Sequence, residues 1–290
     1  MPKPFDNKVV AITGAGKGLG RAYAHHFAAL GAKVVVNNRR HEGEAASSAD
    51  LVVAEIVNTG GKAVAEYSSV ERSDSGDKLL ASALENFGRL DWLIANAGIM
   101  EGRTFRGQTL SELRHHLDIN LMGTINVTHP VFRHMCEQRS GCIVVSTSSA
   151  GLFGQLGLPA YSTSKAALIG LMRSLSLEGA ARNVNVNAIA PYGATQMTDG
   201  HMSSEAFERL TPEHVAPIVA WLVSGAVTGE ILIAGGGAVA RAKMKATAPM
   251  LTSGLDDREW QTLGSAKLDL EFESGRENYE KFIAGLDCDT

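Results

Sequence analysis

Lys8-Val9-Val10-Ala11-Ile12-Thr13-Gly14-Ala15-Gly16-Lys17-Gly18-Leu19-Gly20 is the stretch that decides how this chain folds. Residues 8–12 form an apolar run too short for a helix, and they read as a buried strand. The run passes directly into a glycine-rich turn, Thr13 to Gly20, and then into a helical pattern from Arg21 to Leu30. Glycines permit a tight turn and let backbone amides approach a pyrophosphate, and the N-terminus of the following helix favours negative charge. Gly14, Gly16, Lys17, Gly18, Leu19 and Gly20 are therefore candidate dinucleotide-binding residues. Leu19 stands where the Gly-x-Gly-x-x-Gly fingerprint has its last glycine, so the spacing here is Gly-x-x-x-Gly-x-Gly. No Gly-x-x-x-x-Gly-Lys-Ser/Thr occurs at this turn, which argues against a nucleoside triphosphate loop.

Working outward, apolar β-branched runs recur at 33–37, 62–65, 91–95, 142–146, 184–189 and 230–234, with helical patterns between them. Such alternation predicts a doubly wound α/β sheet, Rossmann-like, with helices on both faces. Ligands then gather beyond the carboxyl ends of the strands. With 290 residues, 44% of them hydrophobic, the chain can bury the core of one large domain. A formal net charge of −4 gives no reason to expect nucleic acid or an anionic membrane as a partner. Cys136, Cys142 and Cys288 are odd in number and lack metal-ligand spacing, which fits a reducing compartment. The N-terminus has no apolar signal core and no run is long enough to span a bilayer, so a cytoplasmic location and no metal are expected. His25/His26 and His115/His116 fall on helical patterns and are expected at the surface.

Chemistry concentrates in Ala160-Tyr161-Ser162-Thr163-Ser164-Lys165, where Tyr161 stands thirteen residues after Ser148. Tyr161 and Lys165 share a helix face one turn apart. A nearby cation favours the phenolate, whose unperturbed pKa is about 10, and makes Tyr161 a candidate general acid/base. Ser146 and Ser149 rival Ser148 as its partner when the residues alone are considered.

Thr13 to Gly20, Ala95-Asn96-Ala97-Gly98, Asn120, Ser148, Tyr161/Lys165 and Pro191-Tyr192-Gly193 follow one another as in the short-chain dehydrogenase/reductase family. The chain resembles that family over roughly residues 6–240. Ala95 replaces the usual first Asn, and Tyr192 splits the usual Pro-Gly. The resemblance implies a seven-stranded parallel sheet, a nicotinamide cofactor, and interconversion of a secondary alcohol and a ketone at a Ser148-Tyr161-Lys165-Asn120 site. It selects Ser148 over its rivals to steady the substrate oxygen. It has Lys165 lower the phenol's pKa and bind the nicotinamide ribose, and Asn120 hold a water in a proton relay. It also places Asn96, Ala97 and Gly98 beside the adenosine, Val70 near the adenine, Pro191 and Gly193 beside the nicotinamide, and Thr195 on its amide. Ser69 replaces the family's usual Asp before Val70. Family members form homo-oligomers, tetramers or dimers.

Cofactor choice turns on Asn37-Asn38-Arg39-Arg40 at the end of the second strand. An acid there would bind the ribose diol, whereas an Arg accommodates the 2′-phosphate. Asn38 offers no carboxylate, and Arg39 and Lys17 supply positive charge, so NADP(H) is expected over NAD(H), with NAD(H) as the alternative. Asn187 to Pro191, Pro212 to Pro217 with Trp221-Leu222, and Gly60 to Ala65 resemble the (3R)-hydroxyacyl-CoA dehydrogenase portion of peroxisomal multifunctional enzymes. The substrate is thus expected to be an acyl thioester, or a ketone or steroid of the kind handled by the wider family, 3-oxoacyl reductases included. A silent NADP sensor and an oligomeric scaffold are the non-enzyme alternatives.

Two regions depart from this frame. The lid region, 195–210 with His201 and Met202 at its centre, is short and polar. Residues 1–240 are expected to form the dinucleotide-binding catalytic domain and 241–290 a C-terminal extension. Helical character shows at 256–263 and 275–286. The extension reads either as a surface appendage or as a segment whose Trp260, Leu263 and Phe272 cover the pocket or a neighbouring subunit.

Overall fold

Val9–Thr13 (β1) is buried at all five positions, as a strand covered on both faces must be. The structure, a computed structural model, describes residues 3–40, 43, 46–198, 203–225, 227–252, 254 and 256–286. After β1 come Gly18–Ala29 (α1), Lys33–Asn37 (β2), Ser48–Asn58 (α2), Lys62–Glu66 (β3), Ser75–Phe87 (α3) and Trp92–Ala95 (β4). Leu110–Leu117 (α4) runs through a wide π turn, Asp118–Met122, into Gly123–Gln138 (α5). Then follow Gly141–Ser146 (β5), Ser149–Phe153 (α6), Pro159–Ala180 (α7) and Val184–Pro191 (β6). Ser204–Arg209 (α8), Ala216–Val223 (α9), Ile231–Gly235 (β7) and Ala238–Ala242 (β8) complete the sheet.

The strand order is β3-β2-β1-β4-β5-β6-β7-β8, and β1 to β7 are paired in parallel. The order reverses between β1 and β4, and a ligand crevice belongs beyond the ends of those two strands. On one face Val10, Ile12, Val34 and Val36 pack with Tyr23 and Phe27 of α1 and Val219 and Leu222 of α9. Phe5, Phe27 and Trp92 form an aromatic cluster there, with centroids 4.7–5.9 Å apart. Alternate strand residues face the other way, where α3, α5 and α7 contact the sheet.

The family resemblance implies seven parallel strands, and β8 is an eighth. Gly236 and Gly237 have φ of 58° and 80°, the backbone of a two-residue hairpin turn, so β8 returns antiparallel along β7. The surface placement expected of His116 is also corrected. His116 is fully buried where α4 meets α7, its Nδ1 3.0 Å from Glu112 O and its Nε2 accepting from Glu101 N at 3.3 Å. Cys142 is buried as well, and burial pushes its thiol up to about 12, which leaves it inert. Cys288 lies outside the described residues. Among the described residues no helix is long and apolar enough to cross a membrane.

Asp91 bolts the sheet together at the edge away from the crevice. Its carboxylate accepts from Val9 N at 2.9 Å, Lys8 Nζ at 3.0 Å and both arms of Arg89, at 2.8 and 2.6 Å. Its backbone joins β1 and β5 through Val9 O and Cys142 N. Asp91→Ala orphans a buried amide and three donors, and should cost roughly 2–4 kcal/mol in denaturant unfolding. Cofactor affinity, read by fluorescence titration, should not change, because the site lies at the opposite strand ends.

Residues 242–290 form a compact unit distinct from 1–241. Within it, Ala246 and Leu270 make an antiparallel bridge, and Lys243 and Lys245 both pair with Glu271. Asp257–Ser265 (α10) starts from a capping box in which Asp256 and Glu259 satisfy each other's backbone amides. Gly275–Leu286 (α11) carries the pairs Arg276–Glu280 and Glu277–Lys281 one turn apart. Trp260 is exposed, while Leu263 and Phe272 are half-buried.

Candidate active site

The glycine turn after β1 is threaded between its neighbours. Ala15 N donates to Asn37 O of β2 at 2.8 Å, and Thr13 Oγ1 accepts from Asn96 N and Ala97 N after β4, both at 3.0 Å. Gly14 and Gly18 have φ of 65° and 53°, where a side chain is strained. A Cβ on Gly14 would lie 2.9 Å from Ala97 Cα, one on Gly16 2.4 Å from Ser48 Oγ, and one on Gly20 2.2 Å from Gly14 O. The turn is thus packed against its neighbours so tightly that only glycine fits at these positions. Lys17 caps α1 with no side-chain hydrogen bond, and the first turn holds no acid, so its amides are free for an anion. These features fit the diphosphate of a dinucleotide.

At the end of β5, Ser146 O accepts from Lys165 Nζ at 2.7 Å, and Thr147 Oγ1 donates to Lys165 O at 2.7 Å. The two residues clamp α7 to the strand from which Ser148 projects. Ser148 caps α6 by accepting from Ala150 N at 3.1 Å, and its hydroxyl lies near enough to the Tyr161 phenol to favour the phenolate. Ser146 Oγ instead reaches Asn96 Oδ1 at 3.4 Å. The two serines thus have different neighbours, Ser148 the Tyr161 phenol and Ser146 the Asn96 amide, and Ser146 also lines the cavity.

Two electrostatic expectations need correcting. Burial raises the Tyr161 phenol above its ordinary value, and the Ser148 bond opposes this only in part. Lys165 does not lower it here, because Nζ lies over the ring, 5.7 Å from its centroid, and is spent on Ser146 O. Lys165 is itself pushed down to about 8 by burial. Asn120 is fully buried in the π turn, and its side chain spans the Ile99 peptide. Oδ1 accepts from Ile99 N at 2.8 Å, while Nδ2 donates to Ile99 O at 2.9 Å and to Ser164 Oγ at 3.2 Å. Both amide protons are used, so a relay water held by this side chain could only donate to the remaining Oδ1 lone pair. Gly98 keeps this corner open, since a Cβ there would lie 3.0 Å from Asn120 Oδ1 and 3.5 Å from Lys165 Nζ.

A cavity of about 260 Å³ gathers these parts. Gly14, Lys17, Gly18 and Leu19 of the glycine turn line it, together with Asn38, Asn96, Ala97, Gly98, Ser146, Tyr161, Lys165, Pro191 and Thr195. A smaller adjoining cleft of about 130 Å³ holds Arg39 and Val70 and shares Gly14, Asn38, Ala97 and Gly98. Gly16, Gly20, Ser148, Asn120 and Gly193 line neither, and the glycines among them serve packing. A Cβ on Gly193, for example, would meet Leu19 at 3.0 Å.

Several lining groups escape a reading of the sequence. Gln196 and Met197 reach the cavity because Thr195 and Thr198 tie the loop after β6 into a knot, with Thr195 N donating to Thr198 Oγ1 at 2.8 Å. Thr13 and Ser164 support the site, and their buried hydroxyls within a motif are the available signal. His201 and Met202 lie outside the described residues.

The short chain dehydrogenase family profile matches residues 8–208. A protein of Mycobacterium tuberculosis named as a short-chain type dehydrogenase/reductase is 42% identical over 247 residues, covering 83% of this chain and 86% of its own. The 3-oxoacyl-[acyl-carrier-protein] reductase of Synechocystis is 36% identical over 80% of this chain and 97% of its own. Full-length peroxisomal multifunctional enzyme type 2 of Drosophila melanogaster superposes with a TM-score of 0.81 at 30% identity. That match covers 98% of this chain but only 50% of the fly protein. On the strength of these matches the chain belongs to the short-chain dehydrogenase/reductase family, and is an oxidoreductase acting on CH–OH groups with a nicotinamide dinucleotide.

Proposed function

We propose that this chain interconverts a 3-hydroxyacyl and a 3-oxoacyl thioester, using NADP(H), with Tyr161 as the proton donor and acceptor. The observation that carries the reading is Tyr161 beside buried Lys165, in the cavity that the glycine turn also lines, with Ser148 next to the phenol. When bound, the cofactor supplies the hydride chemistry. Ser148 and Tyr161 bond the substrate oxygen and stabilise the charge that develops on it. Tyr161, a phenol protonated at neutral pH and kept so by burial, gives its proton to that oxygen during reduction. Asn120 fixes the loop after β4 against α7 and so positions the floor of the cavity. The thioester class rests on the likeness to the reductase and the peroxisomal enzyme.

Initial rates with NADPH on acetoacetyl-CoA and on a panel of simple ketones test this. Turnover of the thioester well above that of the ketones supports it, and turnover of the ketones alone discards the thioester.

The preference for NADP(H) rests on Asn38, which puts an amide where an acid would bind the ribose diol, and on Lys17 and Arg39 nearby. Asn38 Nδ2 donates to Ser48 Oγ at 2.8 Å, a hydroxyl that can reverse and donate to a carboxylate. Asn38→Asp should therefore fold normally and move the ratio of NADPH to NADH affinity toward NADH by about tenfold or more, since a full charge then opposes the 2′-phosphate. Fluorescence titration with both cofactors measures the ratio.

A further inference from the structure

Arg39 does not stand alone in the smaller cleft. Its Nη1 lies 3.6 Å from Glu71 Oε2, and both residues line the cleft. The parallel register that sets Asn37 beside Glu66 brings the loops after β2 and β3 together, and so joins residues far apart in the chain. Glu71 is held in place from two directions. Ser69 Oγ donates to its carboxylate at 3.0 Å, and Asn126 Nδ2 of α5 grips Val70 O at 3.0 Å and Glu71 O at 3.3 Å. The other cations differ in their circumstances. Arg40 lies over the Tyr67 ring, 5.9 Å from its centroid, whereas Lys17 makes no ion pair among the described residues.

A carboxylate beside a guanidinium offsets part of its positive charge and repels a dianionic group brought to the same fork. A ribose 2′-hydroxyl meets no such repulsion, and it can donate to a carboxylate. Resting on the NADP(H) reading above, we propose that Glu71 is a specificity-determining residue that competes with the cofactor's 2′-phosphate for Arg39, and so holds down the preference for the phosphorylated dinucleotide. The chain then carries a partial brake on its own selectivity. Asn38, Arg39 and Lys17 favour NADP(H), and Glu71 limits by how much.

The test is fluorescence titration of wild type, Glu71→Gln, Arg39→Gln and the double variant with NADPH and NADH. Glu71→Ala serves as a second way to remove the carboxylate, and unfolding midpoints confirm that each variant is folded. Both Glu71 variants should bind NADPH about five- to tenfold more tightly and NADH no more tightly than wild type. In the Arg39→Gln background the gain should shrink to about twofold or less, because no guanidinium remains to compete for. An equal change for NADPH and NADH overturns the proposal, and so does a gain of the same size without Arg39. If wild type binds neither cofactor, the dinucleotide reading itself has failed, which is a separate result from a failure of Glu71 to discriminate.

Discussion

Tyr161→Phe is expected to lower kcat by about 1,000-fold or more while NADPH still binds. The substitution deletes one oxygen and leaves the ring, which is half-buried beneath Lys165 and packed in α7. Ser164 Oγ bonds the Tyr161 backbone carbonyl, at 2.7 Å, and does not need the phenol. Fold and cavity shape should therefore persist. What disappears is the proton donor and the second hydrogen bond to the substrate oxygen, each a contribution on the order of 100-fold or more. Burial raises the phenol's pKa, so the reductive direction should hold its rate through neutral pH and fall only above the ordinary tyrosine range. The oxidative direction needs the phenolate and should climb over the same interval. Initial rates in both directions against pH, with a cofactor titration of the variant, read all of this. Retained turnover in Tyr161→Phe would remove Tyr161 from the chemistry, and lost NADPH binding would make its role structural.

Much of this architecture is legible in the chain because a parallel sheet buried on both faces needs continuous apolar strands. Val9–Thr13 and Lys33–Asn37 are such runs and appear where the pattern puts them. β8 escapes the pattern for the opposite physical reason. Its Ala-Val-Ala-Arg-Ala is largely exposed, so no buried face constrains its composition, and the glycine pair before it is the only signal. The spacing of Tyr161 and Lys165 survives into the structure because α7 is regular there. Their electrostatics do not follow from spacing. One helical turn places Nζ near the ring, but burial outweighs the charge and Ser146 O captures the ammonium. Which neighbours the Ser148 and Ser146 hydroxyls meet depends on the backbone at a strand end. The Arg39–Glu71 pair depends on strand register. Neither is visible in a linear pattern.

Lys165→Met should abolish activity and yet make the protein harder to unfold at neutral pH. Lys165 is 4% exposed, and among the described residues the contact that satisfies its charge is Ser146 O. Burial holds its pKa at about 8 against an ordinary value of 10.5, so the folded state resists the proton that the unfolded state keeps. The penalty is fully present below about pH 8 and is relieved as the pH rises toward 10.5, where the unfolded chain also loses its proton. A tenfold change in proton affinity is worth about 1.4 kcal/mol, so the charge costs the fold roughly 3 kcal/mol. Met fills similar space without that cost but orphans Ser146 O, a loss of about 1 kcal/mol. The variant should thus be more stable by roughly 1–3 kcal/mol at neutral pH. That advantage should fade across the window from about 8 to 10.5. Denaturant unfolding of both proteins at a series of pH values measures the difference, in which other titrating groups cancel. Activity should fall by at least about 100-fold, because the ammonium leaves the cavity and the strand end bearing Ser148 loses its clamp. A lysine kept at a folding cost points to selection for chemistry over stability. A pH-independent difference between the two proteins would mean that Lys165 is not held charged against burial. In that case the folding cost would no longer argue that Lys165 is kept for chemistry.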